Sequence, residues 1–305
     1  MESPRIIGVL GGMGPAATAD FYQKIIRATP AKGDQDHLKV LIFSNPQIPD
    51  RTAAIQGEGP DPLPALVASA EVLVKAGASF LVIPCITAHH FYDRLQRALP
   101  VPILHIIGET AAALAAERPE VRLLGLPDTS CTVKRQLFES YLEPGGLTVF
   151  SPDPKVQFGP VMQVIHAVKG ADTSEAPRRL IREAAEHLIL RGAEVVCAGC
   201  TEVPLILRDG DLSVPVVDST WVLAQAAVRL ALAEDHPLAP VLRGVAGGPQ
   251  VAAARVVPEV RRHDRAALGR HRGLPPPRDQ GGPRLRGGLE QQDPGTSTAC
   301  LWPTG

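Results

Sequence analysis

The chain has 305 residues, with 31 Lys+Arg against 32 Asp+Glu. So even a balance argues against a nucleic-acid or membrane-surface partner held by net charge and leaves a small molecule as the expected partner. At about 100–200 residues per domain, the length allows two domains with a cleft between them. In chain order, strand-like apolar runs alternate with helix-like segments. Strand 6–10 precedes helix 16–28, strand 38–43 precedes helix 62–76, and strand 80–83 precedes helix 88–98. The rhythm restarts with strand 121–126 and continues through helices 132–141 and 174–190 to strand 194–197. Such alternation predicts an α/β fold with mostly parallel sheets.

The restart is a repeat. Glu71, Gly77, Ala78 and Cys85 match Glu186, Gly192, Ala193 and Cys200, each pair 115 positions apart. Near the start, Arg5-Ile6-Ile7-Gly8 recurs as Arg122-Leu123-Leu124-Gly125, and Val101-Pro102-Ile103 recurs as Val214-Pro215-Val216. Two pseudo-symmetric α/β domains are therefore expected, 1–115 carrying Cys85 and 116–235 carrying Cys200. The segment 236–305 is rich in Arg, Gly and Pro, loses apolar periodicity and is expected to be a disordered tail.

Each matched unit runs helix, Gly-Ala turn, apolar strand, then a cysteine where the strand should end. Ligands of open α/β sheets collect at the carboxyl ends of strands, so two facing domains would present both cysteines to one interdomain cleft. A base on one face of an amino acid Cα and an acid on the other is what inversion of configuration requires, and Cys85 and Cys200 would supply that pair without a cofactor. Both lie where a helix is expected to start, and exposed backbone N–H groups there would acidify a thiol. Of the remaining cysteines, Cys131 and Cys300 carry no motif. Cys197 and Cys200 have C-x-x-C spacing, but no second pair completes a metal site, and Cys197 is expected to point into the sheet packing. Five scattered cysteines fit a reducing compartment. No window approaches ~18 apolar residues and no signal-peptide pattern opens the chain, so a cytoplasmic location is expected. The loop Gly11-Gly12-Met13-Gly14 could cradle an anion, yet it does not fit the dinucleotide fingerprint, and no nicotinamide cofactor is expected.

The segments GGMGPAAT, SNPQIPDRT, PCITAH and GCTEVPLIL, in this order, resemble the signature segments of the aspartate/glutamate racemase family over roughly residues 5–235. The resemblance implies a two-domain α/β protein with an interdomain site, no pyridoxal phosphate, no metal and often a homodimer. It puts the catalytic cysteines at Cys85 and Cys200, a substrate-gripping arginine at Arg51, and a second contact to carboxylate or sulfur at Lys169. A guanidinium suits bidentate capture of a carboxylate, although Arg51 could instead pair with Asp50. Thr87 and Thr201 are hydroxyls suited to the substrate carboxylate or amino group, or to helix capping. Met13 would line the pocket floor or fill core, and Glu202 would accept from the substrate ammonium or favour a helix start. His89 and His90 are read as cap or packing residues.

Two departures bear on the substrate. Ile86 stands where the family commonly has Asn, replacing an amide donor with a hydrocarbon. The segment 125–132 replaces a Gly-Thr loop. Racemisation of aspartate or glutamate is the leading expectation. The alternatives are a related cleft-cysteine enzyme of the hydantoin racemase, maleate isomerase or decarboxylase type, and a catalytically silent ligand-binding protein.

Overall fold

The computed structural model describes residues 5–232; the expected tail, 236–305, lies outside them. The first half builds β1 (Ile7–Gly11), α1 (Pro15–Ala28), β2 (Val40–Ser44), α2 (Arg51–Gln56), α3 (Leu63–Lys75), β3 (Phe80–Val82), α4 (Tyr92–Ala98), β4 (Ile103–Leu104) and α5 (Ile106–Glu117). The second builds β5 (Leu123–Gly125), α6 (Ser130–Lys134), α7 (Glu139–Leu142), β6 (Thr148–Phe150), α8 (Pro154–Val156), α9 (Met162–Lys169), α10 (Glu175–Leu190), β7 (Val195–Ala198), β8 (Val216–Asp218) and α11 (Ser219–Ala231).

Each half carries a four-stranded, all-parallel sheet, ordered β2-β1-β3-β4 and β6-β5-β7-β8. The order is the same in both, as the repeat requires. In each, the chain leaves the first strand to one side and returns on the other, so the order reverses between β1 and β3 and between β5 and β7. Such a switch point opens a crevice at the carboxyl ends of the strands. The helix-to-strand turns also match: Gly77 and Gly192 both stand in the left-handed region, at φ 98° and 99°, where a side chain is strained.

The core crosses from one half to the other. Phe21, Phe80 and Ile107 of the first half belong to the same buried cluster as Leu124, Phe138, Val195 and Leu223 of the second. Burying each such phenylalanine contributes roughly 1.5–3 kcal/mol. Two helices carry this continuity: α11 packs on α1 and α5, and α5 also touches α7. Lys24 on α1 adds a polar tie, pairing with Asp20 at 2.5 Å and with Asp218 at 2.6 Å, and donating to Thr220 Oγ1 at 2.6 Å. The outer faces have separate cores, one under α3 and α4 and one under α9 and α10.

The expected continuous helix over 132–141 is instead two short ones. Gln136 between them has φ 50°, a left-handed conformation that interrupts the helical ladder. Ahead of α9, residues 157–161 form a wider π-helical turn around Pro160, an arrangement that accommodates a residue with no N–H to donate.

Candidate active site

The loops at the carboxyl ends of β1, β2, β3, β5 and β7, with the end of α9, enclose one small cavity. The first half contributes Met13, Asp50, Arg51, Thr52, Cys85, Ile86 and Thr87, and the second contributes Thr129, Lys169, Cys200, Thr201 and Glu202. All nine residues expected from the sequence therefore line the same space. Its volume is about 10 Å³, about the room one water needs. An amino acid needs more room than that.

The Gly-rich loop exists because the next segment lies against it. Gly12 has φ 93°, and a Cβ there would fall 2.3 Å from the backbone of Asn45. That contact, with Asn45 N donating to Gly11 O at 3.2 Å, sets the loop that leads to Arg51. Asp50 does not pair with Arg51; it caps α2, accepting from Ala53 N at 2.8 Å. Arg51 is only 8% exposed. Its Nη1 donates to the carbonyls of Ile48 and Pro49 at 3.0 Å each, while Nε is buried without a partner. Among the described residues no carboxylate pairs with this guanidinium, which leaves a fixed, desolvated cation facing the cavity.

Glu202 is the complementary group, 2% exposed. Its Oε2 accepts from the Cys200 thiol at 3.0 Å and from Thr201 Oγ1 at 3.2 Å, and its Oε1 has no partner. Buried polar atoms are rarely left orphaned, since each costs about 1–3 kcal/mol. An open donor on Arg51 and an open acceptor on Glu202 match the carboxylate and ammonium of an amino acid.

The expectation of acidified thiols is overturned. Cys85 precedes a single 3-10 turn at 87–91, and Cys200 precedes another at 203–205, neither of them an α-helix N-terminus. Burial pushes the Cys85 thiol up, partly offset by the Arg51 charge, and the Glu202 charge adds to the rise. Cys200 is pushed well up, first by burial, then by the charges of Glu202 and Asp128, with Lys169 acting in the opposite sense. For Lys169, burial works against the charge, but Cys200, Glu202 and Cys85 together hold its pKa above the ordinary lysine value.

Thr129 is a cavity residue that motif reading missed. Its hydroxyl lies 3.3 Å from that of Thr87, bridging the halves, and 2.8 Å from that of Thr132. The repeat could have found it: the 117-residue offset that relates Gly8 to Gly125 also carries Gly12 of the first loop onto Thr129. Behind it, Asp128 is fully buried and its carboxyl is driven well above the usual range by desolvation. Cys197 lies inside β7 in the shared core, as its place on the strand predicted. Among the described residues, no group of three or more His, Cys, Asp or Glu could hold a metal ion, and no helix is long and apolar enough to cross a membrane.

The paired parallel sheets and the cysteine-lined cavity between them define a two-half α/β enzyme of the racemase type. A family profile described as Asp/Glu/Hydantoin racemase matches residues 10–227. The chain belongs to that family and, with it, to the isomerases. It is 30% identical over 234 residues to the broad specificity amino-acid racemase RacX of Bacillus subtilis, covering 75% of this chain and 99% of the relative. The structure is similar to that of Picrophilus torridus aspartate racemase, with a TM-score of 0.68 at 27% identity, covering 78% of this chain and 98% of the other. Glutamate racemase from Francisella tularensis, solved with D-glutamate, shares the fold at 17% identity, with a TM-score of 0.56 over 79% of this chain and 92% of the other.

Proposed function

We propose that the chain racemises an amino acid, aspartate or glutamate first, by passing the Cα proton between Cys85 and Cys200 without a cofactor. The observation that carries the proposal is that two cysteines from matched strand ends, one in each half, line a single cavity. In one direction a Cys85 thiolate takes the proton and becomes a thiol. The Cα carbanion is then reprotonated on its other face by the Cys200 thiol, which becomes the thiolate; the reverse direction exchanges the roles. Arg51 binds a carboxylate and Glu202 Oε1 accepts from the ammonium, while Lys169 stabilises the negative charge that develops in the buried cavity. Thr87 and Thr201 hydrogen-bond the same polar groups, and Met13 and Ile86 form the apolar wall. The division into domains at 1–115 and 116–235, a cytoplasmic location and a homodimer belong to the same proposal.

Ile86 favours a second reading. It lines the cavity and packs into the shared core, so one wall offers no hydrogen bond and discriminates less among side chains. The printed description of the Bacillus subtilis relative as broad in specificity agrees with that reading. Proton NMR of the purified protein in D2O, with L-aspartate, L-glutamate and a panel of other amino acids, tests both. Loss of the Cα proton with inversion is expected for aspartate or glutamate; exchange favouring less polar amino acids would select the second reading. Silence across the whole panel would remove the racemase assignment.

A further inference from the structure

We propose that His89 is a positioning residue, a neutral imidazole strut that holds the Cys85 peptide in the attitude its thiol needs. The proposal rests on the reading that Cys85 transfers the Cα proton. The strand that delivers Cys85 ends at Val82, and Pro84 has no N–H to give. Beyond that point the Cys85 backbone has two anchors: its N–H donates to Ile83 O at 2.8 Å, and its carbonyl lies 2.9 Å from His89 Nδ1. The other ring nitrogen, Nε2, lies 3.3 Å from the backbone N of Ile106, the first residue of α5.

A backbone amide can only donate, so the bond to Ile106 is made with the lone pair on Nε2 and the hydrogen on Nδ1, where it goes to the Cys85 carbonyl; the carbonyl of Leu104 also lies beside the ring. The positive end of α5 facing Nε2 favours the same neutral tautomer. Burial agrees, holding the His89 pKa down at about 4. The ring is wedged edge-on against His105, with centroids 4.7 Å apart. His105 in turn stacks on Tyr141 at 4.5 Å and lies 2.9 Å from its hydroxyl. Tyr141 belongs to the second half, so the strut is braced across the junction between the halves. Cys200 has no such device. Pro204 occupies the position matched to His89, the Cys200 carbonyl accepts from Val203 N at 2.9 Å, and the thiol itself is held by Glu202.

Two substitutions separate a strut from mere packing. In His89→Asn the amide nitrogen stands near the place of Nδ1 and keeps the tether to Cys85; in His89→Gln the amide reaches the place of Nε2, keeping Ile106 and losing Cys85. With folding checked by circular dichroism, Cα exchange in D2O should show kcat in His89→Gln down by about 10- to 100-fold at nearly unchanged KM, the cost of a small misplacement. His89→Asn should recover most of that loss. Alkylation by iodoacetamide, mapped by mass spectrometry, should change at Cys85 and not at Cys200 in His89→Gln. Nitrogen NMR of the histidine-labelled full chain should show a protonated Nδ1 and a bare Nε2 at His89. Equal loss in the two variants, equal change at both cysteines, or a bare Nδ1 would overturn the proposal. If the wild type exchanged no Cα proton, the racemase reading would fall, and the tautomer and the alkylation contrast would still decide the strut.

Discussion

Cys85 and Cys200 occupy matched ends of matched strands, yet their surroundings have diverged. Cys85 lies within reach of the Arg51 charge, its thiol meets the backbone N–H of Ala88, and its carbonyl is tethered by His89. Cys200 points its thiol directly at a buried carboxylate. A duplication therefore preserved the placement of two sulfurs while giving them unequal electrostatics. The anion is better supported at Cys85 and the proton at Cys200, so the proposed two-base reaction would be run by an asymmetrical pair.

The largest expected effect removes either partner. Cys85→Ser and Cys200→Ser should each lower racemisation by about 10²- to 10⁴-fold, the usual worth of a general acid or base. Each should keep Cα exchange with retention for one enantiomer only, and for opposite enantiomers in the two variants. Deuterium wash-in followed by chiral chromatography reads both quantities. A single variant that kept most of the racemisation would end the two-base assignment.

Next comes a comparison of the two sheets. At Gly8 an added Cβ would sit 2.5 Å from Leu81 and 2.7 Å from Ala78, whereas at Gly125 the nearest atoms, on Leu188 and Ala193, are 3.0 and 3.1 Å away. Gly8→Ala should destabilise by about 1–3 kcal/mol through overpacking, and Gly125→Ala by less. Urea denaturation followed by circular dichroism would measure the difference, and a larger loss at Gly125 would contradict the packing described.

The smallest effect concerns the electrostatic asymmetry. Burial is the larger cause of the raised Cys200 pKa and would remain in Glu202→Gln, but the negative charge beside the thiol would be gone. With that charge absent the thiolate is easier to form, so the Cys200 pKa should fall and its alkylation should begin at lower pH, with Cys85 shifting in the same direction and less. A profile unchanged at Cys200, or a shift confined to Cys85, would show that Glu202 does not set the difference.

Much of this was legible along the chain. The 115-residue spacing of the cysteines and the apolar runs before them foretold two similar sheets with a thiol at a strand end of each. β4 and β8 were harder to read, having two and three residues respectively; the Val-Pro-Ile and Val-Pro-Val repeats lead into them without enough length to show a period. Thr129 was hidden because its loop no longer resembles the Gly-rich loop it matches. The direction of the thiol pKa shifts was misread because a cysteine before an expected helix says nothing about how completely the other half will cover it.

Local composition and repetition thus determined the class of fold and the matched cysteines at the ends of matched strands, since period, turn residues and strand ends are properties of neighbouring residues. Only the tertiary structure decided that Arg51 lacks a carboxylate partner, that Glu202 grips Cys200, and that His89 ties Cys85 to α5. Those facts depend on which residues from distant segments exclude water from one another, and desolvation is set by the packing of both halves together.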